Sequence, residues 1–157
     1  MNQFEFIKGQ YLKLRASTIR LLENFHGDSY YYQPTKVSNS TAWIVPHISA
    51  FEKIMVADKI DGYKFPRFIS EDDVAKYKPM VDGYAFDRDE MMGVAKAVDL
   101  LEKTRDISVA FLEIMIDDPP KNIDAKNAAE KYLLNISHET EHLGQLKYLL
   151  GTWKRNL

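Results

Sequence analysis

The sequence predicts an all-α fold, a four-helix bundle, on three observations. Apolar residues recur at steps of three and four in four separate stretches, no stretch alternates apolar and polar residues as a half-buried strand does, and turn-forming residues separate the stretches. The link between the second and third stretches is much longer than the one between the third and fourth. That asymmetry permits a crossover that would set the middle helices parallel, unlike a simple up-and-down bundle.

Each element has its own justification. The first stretch covers about 2–25, where Phe4, Ile7, Tyr11, Leu14, Thr18, Leu22 and Phe25 share one face, and Gly27 is placed to end it in a left-handed conformation. A turn-rich link follows over 28–39, with Pro34 and the tyrosines Tyr30, Tyr31 and Tyr32. The second stretch starts within Ser38, Asn39, Ser40 and Thr41, a run of N-cap residues. Trp43, His47, Phe51 and Ile54 make its stripe, and 58–62 closes it. Pro46 lies inside it, removing one backbone bond and crowding the preceding turn, so a kink or an irregular first turn is expected. Ser70, Glu71, Asp72 and Asp73 read as the capped start of a short helix ending near Tyr77. Asp87 to Glu90 reads as a capping box for the third stretch, whose inward residues are Met91, Val94, Val98, Leu101, Ser108, Leu112 and Met115. Asp117, Asp118, Pro119 and Pro120 stop it. The fourth stretch runs from about Asp124 to Leu150, with Gly151 as its expected terminator.

Composition narrows the function. The 157 residues fit a single domain over 1–157, and 45% apolar with 28% charged residues is the balance of a globular chain. A formal charge of -2, without a basic stripe, gives a nucleic-acid surface no electrostatic support. No run of eighteen apolar residues and no basic segment before an apolar one is present, so no membrane span and no secretion signal is expected, and a cytoplasmic location follows. The chain has no cysteine, which removes disulfides, thiolate nucleophiles and sulfur-ligated metals together. A metal here has imidazole, carboxylate or water to bind it.

His138 and His142 stand four residues apart, which on a helix places them one turn apart and about 40° around the axis. Two imidazoles so placed chelate one ion when a third ligand arrives from another helix. His47, in the middle of the Trp43–Phe51 stripe, points inward and is the candidate. Two plainer readings stay open on spacing alone: a hydrogen-bonded core histidine, and a pair favoured by the negative end of the helix dipole. His138 to His142 also matches H-E-x-x-H, the zinc-protease pattern, with Glu139 as general base. Such proteases take their third ligand downstream, and none of the fifteen residues after His142 is His, Asp, Glu or Cys. The protease reading is rejected.

Asn39 to Ile48, with Phe51, Glu52 and Lys53, resembles the second-helix motif of the DinB/YfiT-like superfamily of metalloenzymes, and His138 to Leu149, a histidine pair followed by Gly144 and Gln145, resembles its fourth-helix motif. The likeness extends to the order and spacing of the four helices. It implies an up-down-down-up bundle with a long crossover between helices 2 and 3, and a nickel or zinc ion held by His47, His138 and His142. Family members with known activity are largely metal-dependent transferases or isomerases that use a low-molecular-weight thiol. The resemblance implies no DNA binding and allows a homodimer. Pro46, immediately before the histidine, departs from the family pattern.

Three neutral imidazoles leave a divalent ion its full charge and at least one open position, for an activated water or a thiolate. On the helical wheel Asn135 and Gln145 each fall about 40° from the midline of the histidine pair, as candidates to orient an imidazole or a bound water, or else as polar residues satisfying each other. Glu139 and Glu141 are candidates to accept a proton, or are solvated. Trp43 is read as a pocket wall or core residue, Tyr30, Tyr31 and Tyr32 as a cleft lining or a cover for the bundle's end, and His26 as a dipole contact at the first helix's end. The leading function is a metal-dependent enzyme acting on a small molecule. The alternatives are a non-catalytic metal-binding module, in which Asp58 is the best candidate to fill the fourth position, and a helical interaction protein that binds no metal.

Overall fold

Local caps set most helix starts. Asn2 accepts from the Phe4 backbone N–H and opens α1 (Gln3–Leu22). Ser40, in an extended conformation, precedes α2 (Thr41–Met55). Ser70 accepts from Asp73 and opens the short α3 (Glu71–Tyr77), as its sequence predicts. Gly93 precedes α4 (Val94–Asp117), and Asp124 accepts from Asn127 to open α5 (Ala125–Arg155). The structure is a computed structural model and describes residues 2–157. Among the described residues it is all-helical, with these five α-helices, four short 3₁₀ turns and no strand. No described helix is long and apolar enough to cross a membrane.

The two early helices lie against the two late ones: α1 packs on α4 and α5, and α2 packs on the same pair. The segment after α2 returns over it, with α3 and the 3₁₀ turn at Gly83–Ala85 both seated on α2. This second cover explains why every residue from Thr41 to Glu52 is buried, where an ordinary surface helix would bury one stripe. One apolar cluster gathers Trp43, Ile44, Ile48, Tyr77, Leu101 and Leu146; another gathers Phe4, Ile7, Phe111, Leu112, Met115 and Tyr132.

Three local expectations need correction, and at Pro46 helix α2 continues, the one backbone bond it forfeits being tolerated on a helix enclosed by packing. The capping box of Asp87 and Glu90 forms, but it closes a 3₁₀ turn at Arg88–Glu90; Met91 is extended, and α4 begins only after Gly93. Helix α1 ends at Leu22, short of Phe25 and of Gly27, which does adopt the left-handed conformation at φ 50°. Helix α5 passes Gly151 and continues to Arg155, its last turn held by Trp153 packed on Tyr32 and by the basic Lys154 and Arg155 at the negative end of the dipole.

Candidate metal centre

Helix α5 presents His138 and His142 on one face, and α2 brings His47 to meet them. His138 Nε2 lies 3.1 Å from His47 Nε2 and 3.0 Å from His142 Nε2. The three ligand atoms all fall within 4.8 Å of one another, a group that could hold a metal ion. Neighbouring donors on a single ion with metal–nitrogen bonds of about 2.1 Å stand at about this spacing.

Hydrogen bonds on the opposite side of two rings decide which nitrogen carries the proton. His47 Nδ1 is 2.7 Å from the Tyr77 carbonyl, which only accepts, so Nδ1 is the N–H and Nε2 holds a lone pair. His142 Nδ1 donates in the same way to Gln145 Oε1 at 2.7 Å. Two lone pairs therefore aim at His138 Nε2, and a single proton there could satisfy only one of them. A cation satisfies all three nitrogens at once. Burial also keeps the imidazoles neutral: it pushes His47 down to about 4 and His138 down to about 3, the latter aided by its two histidine neighbours. His142 is lowered as well, by burial, against the opposing bond to Gln145. Neutral imidazole is the form that binds metal.

Aromatic rings hold the set from the sides. Trp43 stacks on His47 with centroids 4.6 Å apart, and its indole N–H donates to the Lys76 carbonyl at 3.2 Å. Phe51 stacks on His138 with centroids 3.5 Å apart. Gly83 packs directly on the indole; a Cβ there would lie 2.2 Å from Trp43 Cδ2. Tyr77, whose carbonyl fixes His47, is tied in turn by its hydroxyl, which accepts from the Met92 backbone N–H at 2.7 Å. The long segment between α2 and α4 thus supplies the outer partners of His47.

Beneath this lies a charged cluster. Arg15 of α1, Glu52 of α2 and Glu139 of α5 are all buried. Arg15 donates to Glu139 through Nε at 3.0 Å and Nη2 at 2.7 Å, to Glu52 through Nη2 at 3.0 Å, and to the Leu101 carbonyl through Nη1 at 2.9 Å. Glu52 also accepts from Tyr11 at 2.9 Å, Ser108 at 2.7 Å and Asn135 at 2.5 Å, while Thr18 donates to Glu139 at 2.9 Å. Arg15 extends the inward steps of α1, since Tyr11, Arg15, Thr18 and Leu22 recur at four, three and four; that signal was present in the sequence but lacked a visible partner.

The remaining candidates divide clearly. Gln145 touches a histidine, as the helical wheel suggested. Asn135 is fully buried and engages Glu52, with no bond to a histidine. Glu139 is committed to Arg15, and Glu141 is exposed. Asp58 is corrected: it lies in a 3₁₀ turn beyond α2, pairs with Lys53 and is outside the histidine group. His26 lies beyond the end of α1, at the N-cap of the 3₁₀ turn at Gly27–Ser29. Tyr30 is buried, and Tyr32 packs on Trp153 near the end of α5. A depression of about 210 Å³ adjoins the centre through Gln145 and is walled by Pro34, Asn39, Ile44, Tyr148 and Leu149. A larger groove of about 450 Å³, beside Tyr63, Asp99 and Lys103, holds none of the three histidines.

The family model of the DinB superfamily matches residues 10–146, a span that includes all three histidines and all three charged residues of the buried cluster. No curated protein and no solved structure matches the chain.

Proposed function

Because the chain belongs to the DinB superfamily, we propose that it is a divalent-metal-dependent enzyme of the transferase or isomerase type, using a low-molecular-weight thiol, with His47, His138 and His142 as ligands to nickel or zinc. The observation that carries this reading is the convergence of three neutral imidazole nitrogens from two helices with no carboxylate in the group. In keeping with it, α1, α2, α4 and α5 are read as an up-down-down-up bundle in one domain, with α3 inside the long crossover.

Bound there, a divalent cation supplies a Lewis acid with at least one position for water or a thiol, whose deprotonation it favours. The chain contributes no sulfur nucleophile of its own, since it has no cysteine, so the attacking sulfur belongs to the cosubstrate. The Tyr77 carbonyl and Gln145 hold His47 and His142 in the tautomers whose Nε2 lone pairs face the centre. Trp43 and Phe51 keep water from the faces of two ligand rings. The depression beside Gln145, part apolar and part amide, takes the body of the small-molecule substrate. Glu139 is withdrawn from proton transfer by Arg15, which leaves Glu141 as the carboxylate of the pair exposed for that task.

Elemental analysis of protein purified without an affinity tag tests the ligand set. Close to one nickel or zinc per chain is expected, with most of it lost in His142→Ala. A metal-free parent, or a variant as fully loaded as the parent, would refute the assignment. The thiol reading has its own test, a panel of small thiols and electrophiles with the metal-loaded protein. Rates no faster than those without enzyme would overturn it while leaving metal binding in place.

A further inference from the structure

The buried cluster of Arg15, Glu52 and Glu139 does not balance. The oxygens of both carboxylates accept from donors throughout: the guanidinium, the Tyr11, Ser108 and Thr18 hydroxyls, and the Asn135 amide. The Arg15 guanidinium, which only donates, reaches both carboxylates, the Asn135 amide N–H adds to Glu52, and the hydroxyls can turn as donors towards them, surroundings that favour the charged form of both. Two carboxylates about one guanidinium leave a net negative charge in the interior, and these three are the buried Arg, Lys, Asp and Glu residues among those described. Burying an unbalanced charge is unfavourable, and a buried ion cluster is a poor source of stability compared with apolar packing. The centre beside it has the opposite imbalance, since three neutral imidazoles leave a divalent ion uncompensated. His138 and Glu139 are consecutive on α5, and Glu52 follows His47 by five residues on α2.

A second observation joins the two. His47 and His142 each have an acceptor on Nδ1, but His138 Nδ1 is buried without a partner among the described residues. Asn135 Oδ1 is likewise buried without a partner. The two residues are three apart on α5, hence neighbours on one face. Asn135 gives its amide N–H to a carboxylate that can only accept, which leaves Oδ1 as its acceptor. With His138 Nε2 on a metal ion its proton would sit on Nδ1, so the unmatched atoms would then be one donor and one acceptor.

We propose that the Arg15–Glu52–Glu139 cluster is the counter-charge of the metal centre, and that Asn135 couples it to His138 by accepting from Nδ1, through a small side-chain shift or across one water. Resting on the metal reading above, it assigns roles to residues that touch no metal: Glu139 supplies excess negative charge, and Asn135 is a positioning residue.

The decisive variant is Glu139→Gln. Its carboxamide keeps an oxygen for Arg15 and can donate to Thr18, which already bonds to the Leu14 carbonyl. Calorimetric titration with zinc should show affinity lowered about tenfold relative to the parent. The thermal midpoint of the metal-free variant should be unchanged or higher, because the unbalanced charge has gone. A cluster that is only structural gives the reverse, a lower midpoint with unaltered affinity, or a variant that does not fold; either result overturns the proposal. Asn135→Leu should weaken zinc binding about tenfold or more. In the zinc-loaded parent, nitrogen-15 NMR should show a His138 Nδ1–H protected from exchange and close to Asn135, and an N–H exchanging at the solvent rate would break that link. A parent that binds no zinc would instead sink the metal reading itself.

Discussion

Replacing Gly83 by alanine places a methyl group where the Trp43 indole already stands. The new Cβ would lie 2.2 Å from Cδ2, 2.3 Å from Cγ and 2.6 Å from Cδ1. Ordinary contact begins near 3.4 Å, so indole and turn must separate by more than 1 Å. The indole has little room to yield, since it is stacked on His47 and its N–H is held by the Lys76 carbonyl. Overpacking of this kind costs about 1–3 kcal/mol, and in a chain of this size each kcal/mol lowers Tm by about 2–4 °C. A fall of roughly 2–12 °C is expected by differential scanning calorimetry. Because the displaced ring rests on His47, a proposed ligand, zinc affinity should fall several-fold in the same variant. Gly9→Ala provides the control: Gly9 is exposed in the interior of α1 with nothing within 4 Å of its Cβ position, and alanine there should stabilise by about 0.5–1 kcal/mol. An unchanged Tm and unchanged zinc binding in Gly83→Ala would refute the account of how the crossover holds the centre.

Three further outcomes are expected. Met80 sits at φ 72° and is 98% exposed, so Met80→Gly relieves backbone strain without loss of contacts and should stabilise by about 0.5–1 kcal/mol in urea unfolding; a lower midpoint would count against strain at this turn. Arg15→Met strands two buried carboxylates and should cost about 3–5 kcal/mol, read as loss of cooperative unfolding or a steep fall in Tm by circular dichroism; near-parental stability would show that the carboxylates are not charged. Histidines 47 and 138 have folded values lowered to about 4 and about 3, against 6.5 for the ordinary side chain. Below pH 6.5 the unfolded chain takes up protons that the folded chain refuses, so the contribution of these groups is full above that pH and is lost progressively as pH falls towards 4 and 3. Metal-free protein should therefore melt lower at pH 5 than at pH 7.5, and this shift should shrink in a His47→Phe variant.

The all-helical fold was legible because four apolar stripes recur at helical spacing and are parted by strong stop signals such as Asp117 to Pro120. Boundaries were less so. Residues 87–90 carry a genuine capping box, but local capping chemistry is common to 3₁₀ and α turns and does not say how many turns follow. Gly151 looked like a stop because propensity was weighed without Tyr32, 121 residues away from Trp153, whose packing extends the last turn. The histidine group was legible through the four-residue spacing and through His47 lying on an apolar stripe. Gln145 followed from the same wheel. The Tyr77 carbonyl could not be found this way, since every residue carries a backbone oxygen and only the path of the chain selects one. The charged cluster was missed for a related reason: Arg15 and Glu139 meet across 124 positions, and sequence alone read Glu139 beside its neighbour His138.

The separations within the centre bear on when it comes into being. His47 meets its backbone partner 30 residues on, and its imidazole neighbour 91 residues on. Contacts this distant form late, after the intervening chain has lost its freedom. During synthesis α5 follows every other helix from the ribosome, so the centre cannot be assembled while the earlier helices emerge. Coordination by all three histidines would then report completed native topology, since a chain with α5 undocked keeps His47 apart from the His138 and His142 pair. Metal retention, measured on refolding protein, would time the last long-range contacts of the molecule.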